Sequence, residues 1–349
     1  MKQPISPVTD LRDVVAGLWT GRGARARAGR LLLSPFAAAY GAIIKGRGFL
    51  YDRRVLKAHD VSVPVVSVGN LSVGGTGKTP VSAWLATQLI ERGAHPAIVL
   101  RGYGDDETLV HRRLNETISV IACANRVRGM RDAVAEAADV IVLDDAFQHR
   151  RASRDADVVL IDADTWTGNT RLLPAGPWRE PLSAARRASL VIVTRKTSDL
   201  ASVVAVKDAV AAAAPGVPIA SVSLAPGELR STATGQTMPL QALDGADVTA
   251  IAAIANPDAF FRQLTRLGAV VRPHSYADHH AFSESDAQRL ANVAGASDFA
   301  VCTLKDAVKL ESIWPAEAGS LWYVSQRLKV EDGKHHIARL LDDLLALRP

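Results

Sequence analysis

The sequence is poor in cysteine and has no long apolar run, and each shortage excludes a class of protein. Its two cysteines, Cys123 and Cys302, lie far apart and outside any CxxC or Cys/His cluster. A disulfide framework and a thiolate zinc site therefore both lack ligands. The longest apolar run, residues 31–44, is shorter than the roughly 20 residues of a membrane-spanning helix, which excludes a multi-pass membrane protein.

Aromatic residues are also sparse, and the net positive charge is confined to the N-terminal segment. Residues 1–60 carry a net charge of +7 and the remaining residues −2, against +5 for the whole chain. With 5% aromatic residues and no recognised module, we expect no nucleic-acid partner. The N-terminus lacks the pattern of a secretory signal, which predicts a cytoplasmic protein.

From residue 63 onward, short β-branched runs alternate with helical stretches. The runs are largely apolar without in/out alternation, as in parallel strands that are covered on both faces. This pattern predicts an α/β fold with a doubly wound, mostly parallel sheet. The predicted strands are 63–68, 97–100, 118–122, 140–143, 158–161 and 190–194, and the predicted helices are 80–92 and 128–138.

The composition changes after about residue 222. Residues 224–245 are rich in Pro, Gly, Thr and Ser, which indicates a linker or hairpin. A second α/β series then follows, and a last helix over about 335–347 could pack on either part of the chain. Its predicted strands are 248–254, 299–303 and 321–324, and its predicted helices are 257–267 and 284–293.

These changes predict three parts of the chain. Residues 1–60 form a basic amphipathic segment, residues 61–222 a nucleotide-binding domain, and residues 223–349 a smaller C-terminal α/β domain.

The strongest motif is Gly69-Asn-Leu-Ser-Val-Gly-Gly-Thr-Gly-Lys-Thr-Pro80, where an apolar strand runs into a Gly-rich loop and then a helix. In a P-loop of this kind, backbone N–H groups surround phosphate oxygens, Lys78 reaches the β- and γ-phosphates, and the Thr79 hydroxyl binds Mg²⁺. Ser72 stands where the strict pattern has glycine, and Val73 where the loops of metallochaperone-type ATPases carry lysine. The predicted nucleotide-binding residues are Ser72, Val73, Gly74, Gly75, Thr76, Gly77, Lys78 and Thr79.

A pair of acidic residues after another predicted strand also supports a P-loop NTPase-type fold. The predicted strand 140–143 ends in Asp144 and Asp145. An aspartate at the carboxyl end of a parallel strand beside a P-loop usually holds Mg²⁺ directly or through water. The Asn/Thr-Lys-x-Asp pattern of GTPases is absent from the sequence at the required spacing, which favours ATP.

Several further motifs accompany the loop: Arg101-Gly-Tyr-Gly104, Asp144-Asp-Ala-Phe-Gln-His149, Leu173-Pro-Ala-Gly-Pro-Trp-Arg-Glu-Pro181, Asn256-Pro-Asp-Ala-Phe-Phe261, Asp278-His279 and Lys305-Asp-Ala-Val-Lys-Leu310. In content and order they resemble the tetraacyldisaccharide 4′-kinase (lipid A 4′-kinase) family over roughly residues 30–310. The resemblance implies an enzyme that transfers the ATP γ-phosphate to the 4′-hydroxyl of tetraacyldisaccharide 1-phosphate, giving the bis-phosphorylated lipid A precursor, lipid IVA. It also implies Mg²⁺, a short β hinge to a smaller α/β domain, and action at the cytoplasmic face of the bacterial inner membrane.

The resemblance also implies roles for individual residues. An Asp–His pair activates the acceptor hydroxyl, and it corresponds here to Asp106 and His279. Asp105 is an alternative to Asp106, because the segment after Gly104 is shorter than in the family, and the nearby His280 and His274 are alternatives to His279. Lys78 joins the pair as a catalytic residue, and the residues near the metal and phosphates are Thr79, Asp144, Asp145 and Glu180.

The N-terminal segment has the composition of an interfacial membrane anchor. Basic residues within 22–57 flank the apolar run 31–44, which is too short to span a bilayer but can lie among anionic headgroups. The alternative is a core helix packed on the nucleotide-binding domain. A substrate with four acyl chains favours peripheral membrane contact through residues 22–57.

Two other functions stay open at this point: a membrane-associated P-loop ATPase that switches partners, and a P-loop kinase or ligase with a soluble acceptor. Val73 and the missing guanine motif argue against the switch. No obligate protein partner is evident from the sequence.

Overall fold

The computed structural model describes residues 11–21, 23–102, 105–254 and 256–348. The elements in chain order are α1 (Leu11–Thr20), α2 (Ala24–Asp52), β1 (Val65–Asn70), α3 (Lys78–Ile90), β2 (Pro96–Leu100), α4 (Asp105–Leu114), β3 (Ser119–Ala122), α5 (Arg126–Ala135), β4 (Val140–Asp144), β5 (Ala156–Asp162), β6 (Leu190–Arg195), α6 (Leu200–Ala213), β7 (Ile219–Ser231), β8 (Thr237–Met238), β9 (Asp247–Ala252), α7 (Pro257–Arg266), β10 (Val270–Ser275), α8 (Glu284–Ala294), β11 (Phe299–Cys302), α9 (Leu304–Leu310), β12 (Leu321–Asp332) and α10 (Lys334–Leu345), with short 3₁₀ helices at Leu182–Arg187 and Leu240–Leu243.

Within the described ranges, twelve strands form one sheet in the order β10-β9-β11-β12-β7-β6-β5-β1-β4-β2-β3, and β8 lies beside β7. All pairs are parallel except β7 with β12 and β7 with β8. The α/β fold with a mostly parallel sheet is confirmed. We call β1–β6 with their helices the N-terminal lobe, and β8–β11 with α7–α9 the C-terminal lobe.

The strands of the N-terminal lobe are covered on both faces, which explains their continuous apolar character. In β4, Val140 and Val142 belong to one buried cluster, while Ile141 and Leu143 belong to another. Alternate residues of a strand point to opposite faces, so each face packs against its own helix layer.

Two long antiparallel strands, β7 and β12, join the lobes. The first part of β7 pairs with β6, and its later part pairs with the start of β12, which in turn pairs with β11. The linker or hairpin predicted over 224–245 is therefore wrong for its first part, which continues as strand to Ser231. Pro226 and Gly227 mark a register irregularity opposite Ser325 in this ribbon instead of a turn.

The last helix, α10, packs on the N-terminal lobe. Its buried residues Ile337, Leu341 and Leu344 lie in one cluster with Leu85 and Leu89 of α3. These side chains recur at helical spacing, so one apolar face of α10 is buried there.

Helix α2 presents an apolar face to the outside. Leu32, Phe36 and Ile43 share this face at helical spacing and keep 75%, 64% and 68% of their surface exposed. The opposite face contacts the 171–180 segment: Gly41 is buried against Leu172. In the described part of the chain, no helix combines the length and the hydropathy that crossing a bilayer requires.

Candidate active site

The Gly-rich loop joins β1 to α3. Gly74 and Gly77 have φ angles of 117° and 83°, which glycine adopts without steric penalty. Thr76 lies between these glycines and is held by two hydrogen bonds of 3.0 Å. Its side-chain hydroxyl accepts from Asn70 Nδ2, and its backbone carbonyl accepts from Thr194 Oγ1. The apex therefore lies next to the N-terminus of α3, where N–H groups and the helix dipole favour a phosphate.

The eight predicted nucleotide-binding residues all lie in this loop or in the first turn of α3, but the first two have other contacts. Ser72 forms a β-bridge with Trp178, and the Val73 N–H donates to the Pro177 carbonyl at 2.8 Å. Residues 74–79 are therefore the part of the loop available for the predicted phosphate contacts, while Ser72 and Val73 connect the loop to the segment that precedes Glu180.

A cavity of about 240 Å³ opens beside the loop at the carboxyl ends of β2 and β4. Lys78 Nζ lies 3.7 Å from Asp145 Oδ1, and Arg179 Nη1 lies 3.2 Å from the same oxygen. The cavity is lined by Lys78, Thr79, Leu100, Arg101, Glu107, Arg126, Asp144 and Asp145.

The carboxylate of Asp144 is buried at the end of β4 and held by three hydrogen bonds. Its Oδ1 accepts from Ser82 Oγ at 3.0 Å and from the Asp145 N–H at 2.9 Å. Its Oδ2 lies 2.8 Å from Nε2 of the buried His111. Burial alone would raise the pKa of Asp144, but these hydrogen bonds and the charges of His111 and Lys78 hold that pKa below its usual value. The carboxylate is therefore ionised at neutral pH.

The three predicted metal-binding residues in the cavity fit a magnesium ion. Magnesium prefers oxygen ligands and keeps several waters when it binds beside substrate phosphates. The Thr79 hydroxyl and the carboxylates of Asp144 and Asp145 supply such oxygens within one cavity. Clusters of three or more His, Cys, Asp and Glu side chains that could enclose a metal do not occur among the described residues. Three oxygen donors leave room for the waters and phosphate oxygens that magnesium also takes as ligands.

The fourth predicted metal residue, Glu180, does not line the cavity and lies near the end of β1, where the loop begins. Both of its carboxylate oxygens already accept hydrogen bonds: Arg187 donates to both, and Gln148 Nε2 donates to Oε1 at 3.1 Å. Gln148 Nε2 also donates to the Asn70 carbonyl at the end of β1. These contacts connect Glu180 to the start of the loop through Gln148.

Asp106 and His279, which are 173 positions apart, lie in contact across the two lobes. Oδ2 of Asp106, in the first turn of α4, is 2.8 Å from Nδ1 of His279. The Asp106 side chain is 6% exposed, whereas that of His279 is 45% exposed. His279 has a φ of 61°, uncommon for a residue other than glycine, and its N–H donates to the Ala253 carbonyl. The Asp105 side chain lies outside the described residues.

Two residues of α4 that sequence reasoning missed, Glu107 and His111, face the cavity and Asp144. Glu107 lines the cavity, where burial and then the charge of Asp144 raise its pKa. Their spacing of four residues places them on one face of a helix, which was the available signal. This spacing is informative only once residues 105–114 are known to be helical, and the sequence pattern does not predict α4.

A profile of the family described as tetraacyldisaccharide-1-P 4′-kinase matches residues 29–115 and 103–346 of the chain. A curated tetraacyldisaccharide 4′-kinase of Anaeromyxobacter sp. (strain Fw109-5) is 37% identical over 369 aligned positions, which cover 96% of this chain and 97% of the relative. The enzyme of the same name from Halorhodospira halophila is 37% identical over 90% of this chain and 92% of its own length.

Among solved structures, the crystal structure of LpxK from Aquifex aeolicus in complex with ATP superposes with a TM-score of 0.72. It is 27% identical in sequence, and the match covers 90% of this chain and 99% of that chain. With the profile match and the curated relatives, this similarity shows that the chain belongs to the tetraacyldisaccharide-1-P 4′-kinase family.

Proposed function

We propose that this protein transfers the γ-phosphate of ATP to the 4′-hydroxyl of tetraacyldisaccharide 1-phosphate and so forms lipid IVA in lipid A biosynthesis. Membership of the family supports the reaction, and the ATP complex of the Aquifex aeolicus structure supports the donor. The single observation that carries the assignment of residues is the contact between Asp106 and His279 beside a P-loop cavity.

The loop and Lys78 stabilise the transferring phosphoryl group. Phosphoryl transfer develops charge on oxygens that a protein can only position and neutralise, so fixed N–H groups and a lysine are the main resource. Thr79, Asp144 and Asp145 would hold Mg²⁺, which when bound supplies charge neutralisation at the phosphates. Glu180 supports this site indirectly: it holds Gln148, which donates a hydrogen bond to the Asn70 carbonyl where the loop begins.

Asp106 activates the acceptor hydroxyl. A sugar hydroxyl is a weak nucleophile, and a carboxylate can accept its proton as the oxygen attacks phosphorus. The Nδ1–H of His279 donates to Asp106 Oδ2 and the Glu107 N–H donates to Asp106 Oδ1 at 3.0 Å, which fixes the carboxylate and leaves one lone pair on each oxygen for the substrate. Because the pair spans both lobes and is already in contact, the two lobes together present the base to the acceptor, and their closure around a bound substrate would exclude water.

Helix α2 brings the enzyme to its lipid substrate. At about 100° per residue, Arg25 and Arg47 lie on the same side of α2 as its exposed apolar face, one near each end of it, while Arg27 and Lys45 lie on the opposite side. An amphipathic helix of this kind lies in the interface of an anionic leaflet. We place this contact, through residues 22–57, at the cytoplasmic face of the inner membrane, where a peripheral protein has access to the four acyl chains.

The test is transfer of radiolabelled γ-phosphate from ATP to tetraacyldisaccharide 1-phosphate in detergent micelles, with Lys78→Met as the reference variant. We expect labelled lipid from the unmodified protein and a loss of about 10²- to 10³-fold in kcat for Lys78→Met. A deacylated disaccharide serves as the soluble acceptor. ATP hydrolysis without lipid labelling, or equal labelling of the soluble acceptor, would contradict the proposal.

A further inference from the structure

His111 is a buried titratable group that contacts the proposed metal site and that the mechanism leaves without a task. It lies on α4, its side chain has no exposed surface, and its Nε2 is 2.8 Å from Asp144 Oδ2. Its other ring nitrogen, Nδ1, is buried and has no hydrogen-bond partner among the described residues. A buried imidazole with only one partner is costly, because an unsatisfied polar atom costs about 1–3 kcal/mol.

The hydrogen bonds around Asp144 define what His111 does there. An ionised carboxylate only accepts hydrogen bonds, so His111 Nε2 carries the proton of this contact and donates it. Both lone pairs of Oδ1 are used by Ser82 Oγ and the Asp145 N–H. With one lone pair of Oδ2 taken by His111, a single lone pair of Asp144 remains for a ligand in the cavity.

We propose that His111 is a positioning residue for Asp144: its Nε2–H fixes the carboxylate so that the one free lone pair of Oδ2 serves the Mg²⁺ that accompanies ATP. The proposal rests on the assignment of Asp144 to the metal site made above. Groups that hold a metal ligand in place typically account for about 10- to 100-fold in metal affinity.

The geometry of α4 makes this role compatible with that of Asp106. The two residues are five positions apart, so their side chains point about 140° apart around the helix axis. Asp106 accordingly reaches His279, while His111 reaches Asp144 in the N-terminal lobe. Two turns of one helix thus orient both the base and the metal-binding carboxylate.

The experiment compares three substitutions at position 111 by electron paramagnetic resonance of Mn²⁺, titrated into the full-length protein with a non-hydrolysable ATP analogue. His111→Gln places an amide N–H where Nε2 lies, His111→Asn carries the same amide one methylene shorter, and His111→Leu fills the space without a donor. We expect about 10- to 100-fold weaker Mn²⁺ binding for the Leu and Asn variants and recovery of most of the affinity in the Gln variant.

The contrast between Asn and Gln separates positioning from packing, because both are polar and only Gln reaches Oδ2. Equal Mn²⁺ affinity in the Asn and Gln variants would overturn the proposal, even if the Leu variant fails to fold. Asp144→Asn is the reference for the metal assignment. If Asp144→Asn binds Mn²⁺ normally, the assignment of Asp144 to the metal fails, whereas a defect in Asp144→Asn with normal binding by all position-111 variants removes only the role of His111.

Discussion

Replacing Asp106 with asparagine should abolish most phosphoryl transfer while leaving the fold and ATP binding intact. Asparagine has the shape of aspartate, and its amide can keep a hydrogen bond to His279 at the 2.8 Å contact. What it loses is the ability to accept a proton. A positioned general base contributes about 10²- to 10⁴-fold, so kcat should fall by that factor, equivalent to about 2.7–5.4 kcal/mol in the activation free energy.

The partner substitution is His279→Asn, because asparagine tolerates the positive φ of 61° at this position better than alanine does. Since His279 acts by orienting Asp106, its loss should lower kcat by a smaller factor than loss of the base. In the double variant the two losses should not add, because a residue that orients an absent base has nothing left to contribute.

The assay is transfer of radiolabelled γ-phosphate to tetraacyldisaccharide 1-phosphate in micelles, at saturating ATP and with the melting temperature of each variant as the fold control. Asp105→Asn is the matched control and should keep near-normal kcat. Retention of more than a tenth of kcat by Asp106→Asn, with a large loss in Asp105→Asn, would refute our choice of base. Fully additive losses in the double variant would refute the orienting role of His279.

Three further perturbations test other parts of the site. Glu107→Gln should raise the melting temperature of the nucleotide-free protein at pH 8 and have little effect at pH 4. Burial raises the pKa of Glu107 in the folded protein, so its ionisation lowers stability above that pKa and has no effect below the pKa of the unfolded chain. An equal gain in melting temperature at both pH values would contradict this. Gly77→Ala should cost about 1–3 kcal/mol of unfolding free energy and weaken ATP binding, measured by urea unfolding and calorimetry, because its φ is 83° and a Cβ would lie 2.4 Å from Leu224. The double variant Phe36→Ser/Ile43→Ser should lose flotation with anionic vesicles while keeping ATP binding, since both side chains are mostly exposed on α2; undiminished flotation would place the membrane contact elsewhere.

The first half of the sheet was predictable because its strands are apolar on both faces. The six predicted strands before residue 200 correspond to β1–β6, with no end displaced by more than two residues. The Gly-rich loop was equally predictable, because a strand, glycines and Lys78-Thr79 at fixed spacing leave few other conformations. Local sequence thus specifies the part of the site that a single strand–loop–helix unit builds.

The sequence predicts strand 321–324 at the start of β12 and the resemblance implies a β hinge, but the rest of the β7–β12 ribbon was not predicted as strand, for a different reason. The second half of β12 alternates, with Leu328 and Val330 packed against the core and the intervening residues turned outward. In β7, Pro226 and Gly227 read as a turn, yet they lie in a strand at a register irregularity, where proline is tolerated. Recognising this pair as strand requires knowing that β12 lies beside it, which local propensity does not reveal.

The pairing of Asp106 with His279 came from the family resemblance alone, since no local spacing brings together residues in different lobes. Helix α4 explains why the pairing survives after the shortened segment that follows Gly104. The helix is held from the C-terminal lobe by His279 and by the Arg113–Glu311 ion pair, and from the N-terminal lobe by the contact of His111 with Asp144. Because both lobes fix the same helix, the contact of Asp106 with His279 depends on the rotation of α4 and less on the length of the loop before it. The position of Asp106 is therefore a tertiary property, set by residues that lie about half the chain away.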